Sequence, residues 1–207
     1  MKEPIVRLPS LPALALALLF AAGPATAQES ATAPVERLNT ALLDVMQNAE
    51  ALGYEGRVER LAPQLEDVFD FATMARITLG RHWRDLKPPQ QEAFTEAFTD
   101  FSVAVFADRF DGFSGERFEI LGEQPARRGA VLVRNQIVKS DGEAVPINYL
   151  ARPGKGGESW QLVDILLDAK YSELATRRSE YSGIVKNQGI DALIAALKDK
   201  TAGYAAP

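Results

Sequence analysis

The chain has 207 residues, 46% hydrophobic and 25% charged, with a formal charge of −5. That is the profile of a folded globular protein, long enough for one domain or two small ones. It contains no cysteine and one histidine, His82, which excludes disulfides, cysteine-bound zinc or iron–sulfur clusters, thiol catalysis and any multi-histidine metal site, while the acidic balance argues against nucleic-acid binding by phosphate neutralisation.

The first segment reads as an address. Lys2 and Arg7 precede an apolar run, Leu11–Gly23, and Ala25-Thr26-Ala27 supplies the small residues of a cleavage site. This is the order of a secretory signal peptide, with cleavage near Ala27. Its apolar run falls short of the ~20 residues that span a bilayer, and no later stretch is long enough. The cleaved chain is expected to be soluble outside the cytoplasm, one charge unit more negative than the precursor because Lys2, Glu3 and Arg7 are removed. Residues 28–33 read as a flexible lead-in and 34–207 as a single domain.

Pro34 opens the first predicted helix, with Val35, Leu38, Leu42, Val45 and Ala49 on one face and Gly53 as its stop. A second helix follows from about Arg57 to Val68, where Pro63 is expected to kink or split it. Phe71–Leu79 reads as a short third helix closed by Gly80. Pro88-Pro89 opens the longest helix, to about Asp111. Its apolar residues Phe94, Ala97, Phe98, Phe101, Ala104, Val105, Phe106 and Phe110 make a stripe wider than a coiled-coil seam. Simple core packing explains such a stripe, and so does a cavity left between helix and sheet; periodicity does not separate the two.

The period then changes. Phe118–Gln124, Ala130–Lys139, Val145–Arg152 and Trp160–Asp168 are short runs rich in branched and aromatic residues, separated by glycine-bearing turns. Alternation groups Val131 with Val133 and Ile137, Val145 with Ile147 and Tyr149, and Val163 with Ile165 and Leu167; Leu162 and Leu166 fall on the opposite face of their strand. Short links imply antiparallel hairpins. Two helices close the chain, Glu173 to about Asn187 and Ile190 to about Lys200, with Gly189 between them. Helices, a small sheet of about four strands and helices again define an α+β plan.

Reactive groups are few. His82 stands beside Trp83 among Arg81 and Arg84, and no sequence pattern supplies the nucleophile or acid a general base needs. Asp164 interrupts the apolar strand Leu162–Leu166. It is either a proton-transfer base in a buried cavity or a structural carboxylate that bonds backbone amides or an arginine and holds the next helix. The structural role is preferred, because buried carboxylates are usually paired. Gly154-Lys155-Gly156-Gly157 lacks the spacing of a phosphate loop and reads as a hairpin turn. Arg177-Arg178 with Glu180 reads as a solvated charged helix face.

Three stretches carry a family resemblance. Val68–Arg84, with Phe69-Asp70-Phe71, Leu79-Gly80 and Trp83, is followed by Gln90–Phe94 and Phe98. Trp160-Gln161-Leu162-Val163-Asp164-Ile165-Leu166-Leu167-Asp168 is the second. Ser172–Tyr181 (Ser-Glu-Leu-Ala-Thr-Arg-Arg-Ser-Glu-Tyr), then Gly189–Ile194 and Leu197, is the third. Together they resemble the toluene-tolerance/MlaC family of periplasmic lipid-binding proteins. The third is most similar to the hopanoid-associated HpnM branch. Ala169 departs from the family's usual glycine and Tyr181 from its usual phenylalanine.

The resemblance implies a small curved sheet packed with helices around an apolar pocket for lipid tails. It implies no catalytic residue, no metal and no cofactor, with phospholipid or hopanoid as cargo. The implied partners are an inner-membrane ABC-type or other lipid transporter and an outer-membrane lipoprotein complex. Stripe and strand parity then nominate Phe94, Phe98, Phe101, Val105, Val131, Val133, Ile147, Tyr149, Val163 and Ile165 as the lining. A carrier answers a plain energetic need. Exposed hydrocarbon costs ~0.8 kcal/mol per CH₂, roughly 25 kcal/mol for two 16-carbon tails. The rival reading is a periplasmic enzyme using Asp164 or His82 in the same cavity.

Overall fold

Residues 29–205, except Glu158 and Ala169, are described by a computed structural model; the signal-peptide reading of residues 1–27 lies outside them. The first described residues are held against the rest of the domain. Glu29 takes a 2.6 Å bond from Arg37 and a 3.3 Å bond from the Trp160 amide, and Ala31 is buried.

Helix α1 (Ala33–Gln47) buries Val35, Leu38, Leu42 and Val45, the predicted stripe. It stops at Asn48, ahead of the expected Gly53, because the Asn48 side chain donates to the Asp44 carbonyl at 2.7 Å. Helix α2 (Ala49–Val68) carries the break instead: Gly53, at φ 60° and ψ −174°, sets its first turn apart. Pro63 lies inside the helix without splitting it. Phe69 is extended (φ −103°, ψ 136°) and bridges in parallel to Leu162, and the Asp70 amide donates to the Leu162 carbonyl at 3.0 Å. The Asp70 carboxylate then caps α3 (Phe71–Leu79) by accepting from the Thr73 amide at 2.9 Å. Two residues after α2 thus tie the helices to the sheet and start the next helix.

Gly80, at φ 55°, ends α3 and opens a 3₁₀ segment, Gly80–Asp85. Its positive φ calls for glycine, while the Arg178 guanidinium that a Cβ there would meet at 2.7 Å is the far end of a flexible side chain and can shift. Helix α4 (Pro88–Arg109) is the central helix. It buries Phe94, Ala97, Phe98, Phe101, Val103, Ala104 and Ala107, residues spread round most of its circumference, and packs on α2, α3 and α6. Arg57 of α2 donates to the Ala107 carbonyl near its C-terminal end at 2.8 Å.

The sheet is a curved meander in the order β1 (Arg117–Pro125), β2 (Val131–Val138), β3 (Ala144–Pro153), β4 (Trp160–Leu167) and β5 (Tyr171–Ser172), antiparallel throughout. The fifth strand, beyond the four expected, is a two-residue pairing of Tyr171 and Ser172 with Leu167 and Leu166 that delivers the chain into α5 (Glu173–Gln188). Helix α6 (Ile190–Tyr204) follows. Val133, Tyr149, Ala151 and Leu162 join residues from α1 to α6 in one core.

One predicted face is corrected. In the β3–β4 pairing Leu150 faces Asp164 and Ala151 faces Leu162, leaving Val163 as an extra residue. Such a bulge reverses the alternation that follows from a period of two. Leu162 therefore enters the core, and Val163, although buried, lies outside that core.

Candidate lipid-binding cavity

Between α4, the α2–α3 connection, β3, β4 and α5 the packing leaves a cavity of about 110 Å³. Helix α4 supplies Phe98, Ser102, Val105, Phe106 and Arg109, followed by Phe110. These recur at three and four residues, so they form one stripe. The connection supplies Phe69, and α3 adds Phe71 and Met74. The sheet contributes Ile147, Tyr149, Ile165 and Leu167, where Tyr149 pairs with Ile165 and Ile147 with Leu167. Glu173, Leu174 and Arg177 of α5 complete the wall.

Aromatic contacts hold this wall together. The Phe69 ring lies 5.5 Å from Phe71, 5.7 Å from Phe106 and 6.4 Å from Tyr149, centroid to centroid. Phe71 meets Phe98 edge-on at 6.3 Å. The polar groups are few. Ser102 spends its hydroxyl on the Phe98 carbonyl at 2.7 Å. Burial pushes the Tyr149 phenol well above its ordinary range, so it stays neutral. Arg177 lies over Phe101 at 4.9 Å and Phe98 at 5.7 Å, and donates to the Tyr181 hydroxyl at 3.3 Å. Its Nε stands 3.6 Å from the Glu173 carboxylate.

Of the ten nominated residues, Phe98, Val105, Ile147, Tyr149 and Ile165 border the cavity, and the other five lie elsewhere. Phe94 packs edge-on against Tyr181 at 6.1 Å, and Phe101 faces Tyr204 at 6.3 Å. Val133 is in the helix–sheet core, Val131 lies against it, and Val163 is the bulge residue. Sequence reasoning passed over Phe69, Phe71, Met74, Phe106, Phe110, Leu167 and Leu174. The available signal was the pair of phenylalanines flanking Asp70, a helix cap with apolar residues on both sides.

Neither Asp164 nor His82 borders the cavity, so the placement required by an enzymatic reading is absent. Asp164 accepts from the Ser172 hydroxyl at 2.6 Å and from the amides of Ile165 at 2.8 Å and Leu174 at 3.2 Å. It ties β4 to the first turn of α5. His82 borders a separate surface hollow with Arg81, Arg178 and Lys186. Among the described residues, no group of three histidines or carboxylates is placed to hold a metal ion.

Asp164 makes the pH dependence testable. Burial pushes its carboxyl above the ordinary 3.8, against the pull of its three hydrogen bonds. The native state therefore keeps this proton to higher pH than the unfolded chain does. Its contribution to stability is complete below the unfolded value and is lost as pH rises through the folded one. Wild type measured against Asp164→Asn is expected to be relatively most stable near the acid end and to lose that advantage towards neutrality. Thermal melts of both proteins across mildly acidic pH check this, and a gap that grows in wild type's favour with rising pH contradicts it.

The family model described as MlaC protein matches residues 36–199, and the chain belongs to that family. The intermembrane phospholipid transport system binding protein MlaC of Haemophilus influenzae is 25% identical over 122 residues, 58% of this chain and 56% of that protein. The match thus spans little more than half the relative's length. Among solved structures, the phospholipid-binding protein from Ralstonia solanacearum in complex with a phospholipid superposes with a TM-score of 0.74. It covers 86% of this chain and all of that one at 17% identity, a likeness of fold.

Proposed function

We propose that this protein is a soluble periplasmic carrier for one membrane lipid, phospholipid or hopanoid, whose tails it shelters between α4 and the β3–β4 face. It would act without catalysis or cofactor, as the binding component of a lipid transport system. Delivery would run between an inner-membrane ABC-type or other transporter and an outer-membrane lipoprotein complex. The leader Met1–Ala27 directs it there, and the lipid-binding domain spans 34–207. The observation that carries this reading is the aromatic and aliphatic cavity itself, in a member of the MlaC family whose Haemophilus influenzae relative is named an intermembrane phospholipid transport system binding protein.

The volume adds a requirement. A cavity of roughly 150 Å³ takes a guest the size of benzene, so 110 Å³ houses only a fragment of an acyl chain. Loading must part the walls. The closed state pays for an empty site with aromatic contacts, and the lipid favours the open state by the hydrocarbon it removes from water. Unloading then needs a partner that binds the open form more tightly than the closed one.

Lipids extracted from natively purified protein and weighed by mass spectrometry test the reading. About one lipid per chain is expected. A chain that carries none, and takes none up from vesicles, ends the carrier proposal.

A further inference from the structure

A second hollow, of about 380 Å³, lies on the surface where the end of α3 and the 3₁₀ segment meet α5. The 3₁₀ segment supplies Arg81 and His82; α5 supplies Arg178, Ser182 and Lys186. The three α5 residues are four apart on one unbroken helix, so they stand in a row. From first to last the row spans about 12 Å at 1.5 Å per residue. The Arg178 guanidinium reaches over the end of α3, 2.7 Å from where a Cβ on Gly80 would be. Among the described residues every charged group on this lining is a cation. None of the six ion pairs of the described residues takes up Arg81, Arg178 or Lys186, and all three are exposed. Yet the chain as a whole is acidic, with a formal charge of −5. Arg177 and Arg178 read as one charged face in the sequence; the structure parts them, Arg177 to the lipid cavity and Arg178 to this hollow.

We propose that this hollow is a docking site for an acidic segment of a protein partner, separate from the lipid cavity. Charge complementarity supplies the attraction and sets the orientation. The row of cations matches carboxylates about four residues apart in an extended chain, at ~3.3 Å per residue. A single inorganic anion reaches only part of such a row. A bilayer surface is flat on this scale and meets a recess poorly, whereas a chain segment enters it. A symmetric contact between two copies would set cation against cation. Exposed charge pairs are individually weak and screened by salt, so the docking is reversible. A partner seated there grips α5, the helix whose Glu173, Leu174 and Arg177 wall the lipid cavity.

The probe is a fluorescein-labelled peptide of alternating glutamate and serine, compared with its glutamine counterpart by fluorescence anisotropy on the purified protein. Wild type is expected to bind the glutamate peptide alone and to release it as salt is raised. Arg81→Gln, Arg178→Gln and Lys186→Gln combined should weaken binding about tenfold or more, three exposed pairs at a few-fold each. Arg117→Gln, Arg127→Gln and Lys139→Gln combined change the net charge equally, on or beside β1 and β2, and should bind as wild type does. All six residues are exposed, so both variants should fold and keep the lipid content of wild type. Binding of the glutamine peptide as tightly, equal loss in the two variants, or no binding at all overturns the proposal. So does any other occupant of the same three cations. Full displacement by millimolar inorganic phosphate at constant ionic strength would mean a small-anion site, and capture by phosphatidylglycerol vesicles a bilayer contact. Self-association that the hollow variant abolishes would mean a second copy. Lipid content tests the carrier reading separately, so either reading can fail without the other.

Discussion

Ile165→Glu is expected to leave the protein folded and to empty it of lipid. Ile165 is half-buried, and it is paired with Tyr149 on the sheet wall of the cavity. Its replacement sets a carboxylate beside the hydrocarbon of any guest. An unpaired charge in such surroundings costs several kcal/mol, enough to lower lipid occupancy more than about a hundredfold. The empty protein escapes most of that cost, because solvent can reach the side chain through the partly open wall. Val133→Glu is the informative contrast. Val133 is fully buried between helices and sheet, away from the cavity. The same charge there is expected to unfold the chain, since several kcal/mol is a large part of the 5–15 kcal/mol that ordinary domains have. Circular dichroism for the fold and lipid counting for the cargo separate the two. Full lipid occupancy in folded Ile165→Glu would place the cargo somewhere other than this cavity.

Phe69→Ala is expected to cost the empty protein about 3–5 kcal/mol, the range for deleting a buried phenylalanine. Its ring touches Phe71, Phe106 and Tyr149, joining the α2–α3 connection, α4 and the sheet at one point. The lipid-bound protein should lose less, because an acyl chain in the opened cavity can occupy the vacated space. A ligand that binds only the native state adds stability by mass action, so the gap between loaded and empty melts should widen in the variant. Denaturant titrations of delipidated and loaded protein measure both gaps. Equal losses in the two states would mean that Phe69 is ordinary core, remote from bound lipid.

The α+β plan was legible because it rests on local signals. The stripe Val35, Leu38, Leu42 and Val45 can be buried only by a helix, and Pro88-Pro89 can only start one. The turn around Asp141-Gly142 joins two alternating runs that pair as β2 and β3. The structural preference for Asp164 had a local cause too: a carboxylate in an apolar strand needs donors, and the next helix offers its amides. Where the helix boundaries moved, the cause was also local. Asn48 ended α1 through a bond from its own side chain, and the flexible Gly53 was left to bend α2.

The cavity was only half legible. Helix α4 is buried round most of its surface, so its periodicity names many inward residues without saying which face the hollow: Phe94 meets Tyr181, Phe101 meets Tyr204, and Phe98 meets the opening. The Val163 bulge reversed the parity of its strand, a change that alternation cannot foresee because it depends on the register of the partner strand.

By itself, then, the sequence determined the elements, the layer plan and the poverty of reactive groups, since each follows from residues near one another in the chain. The tertiary structure alone decided where space is left over. Phe69, Phe98, Tyr149 and Arg177 come from four separate elements. A void between them is a property of how those elements fail to fill the gap, which no single stretch of chain encodes.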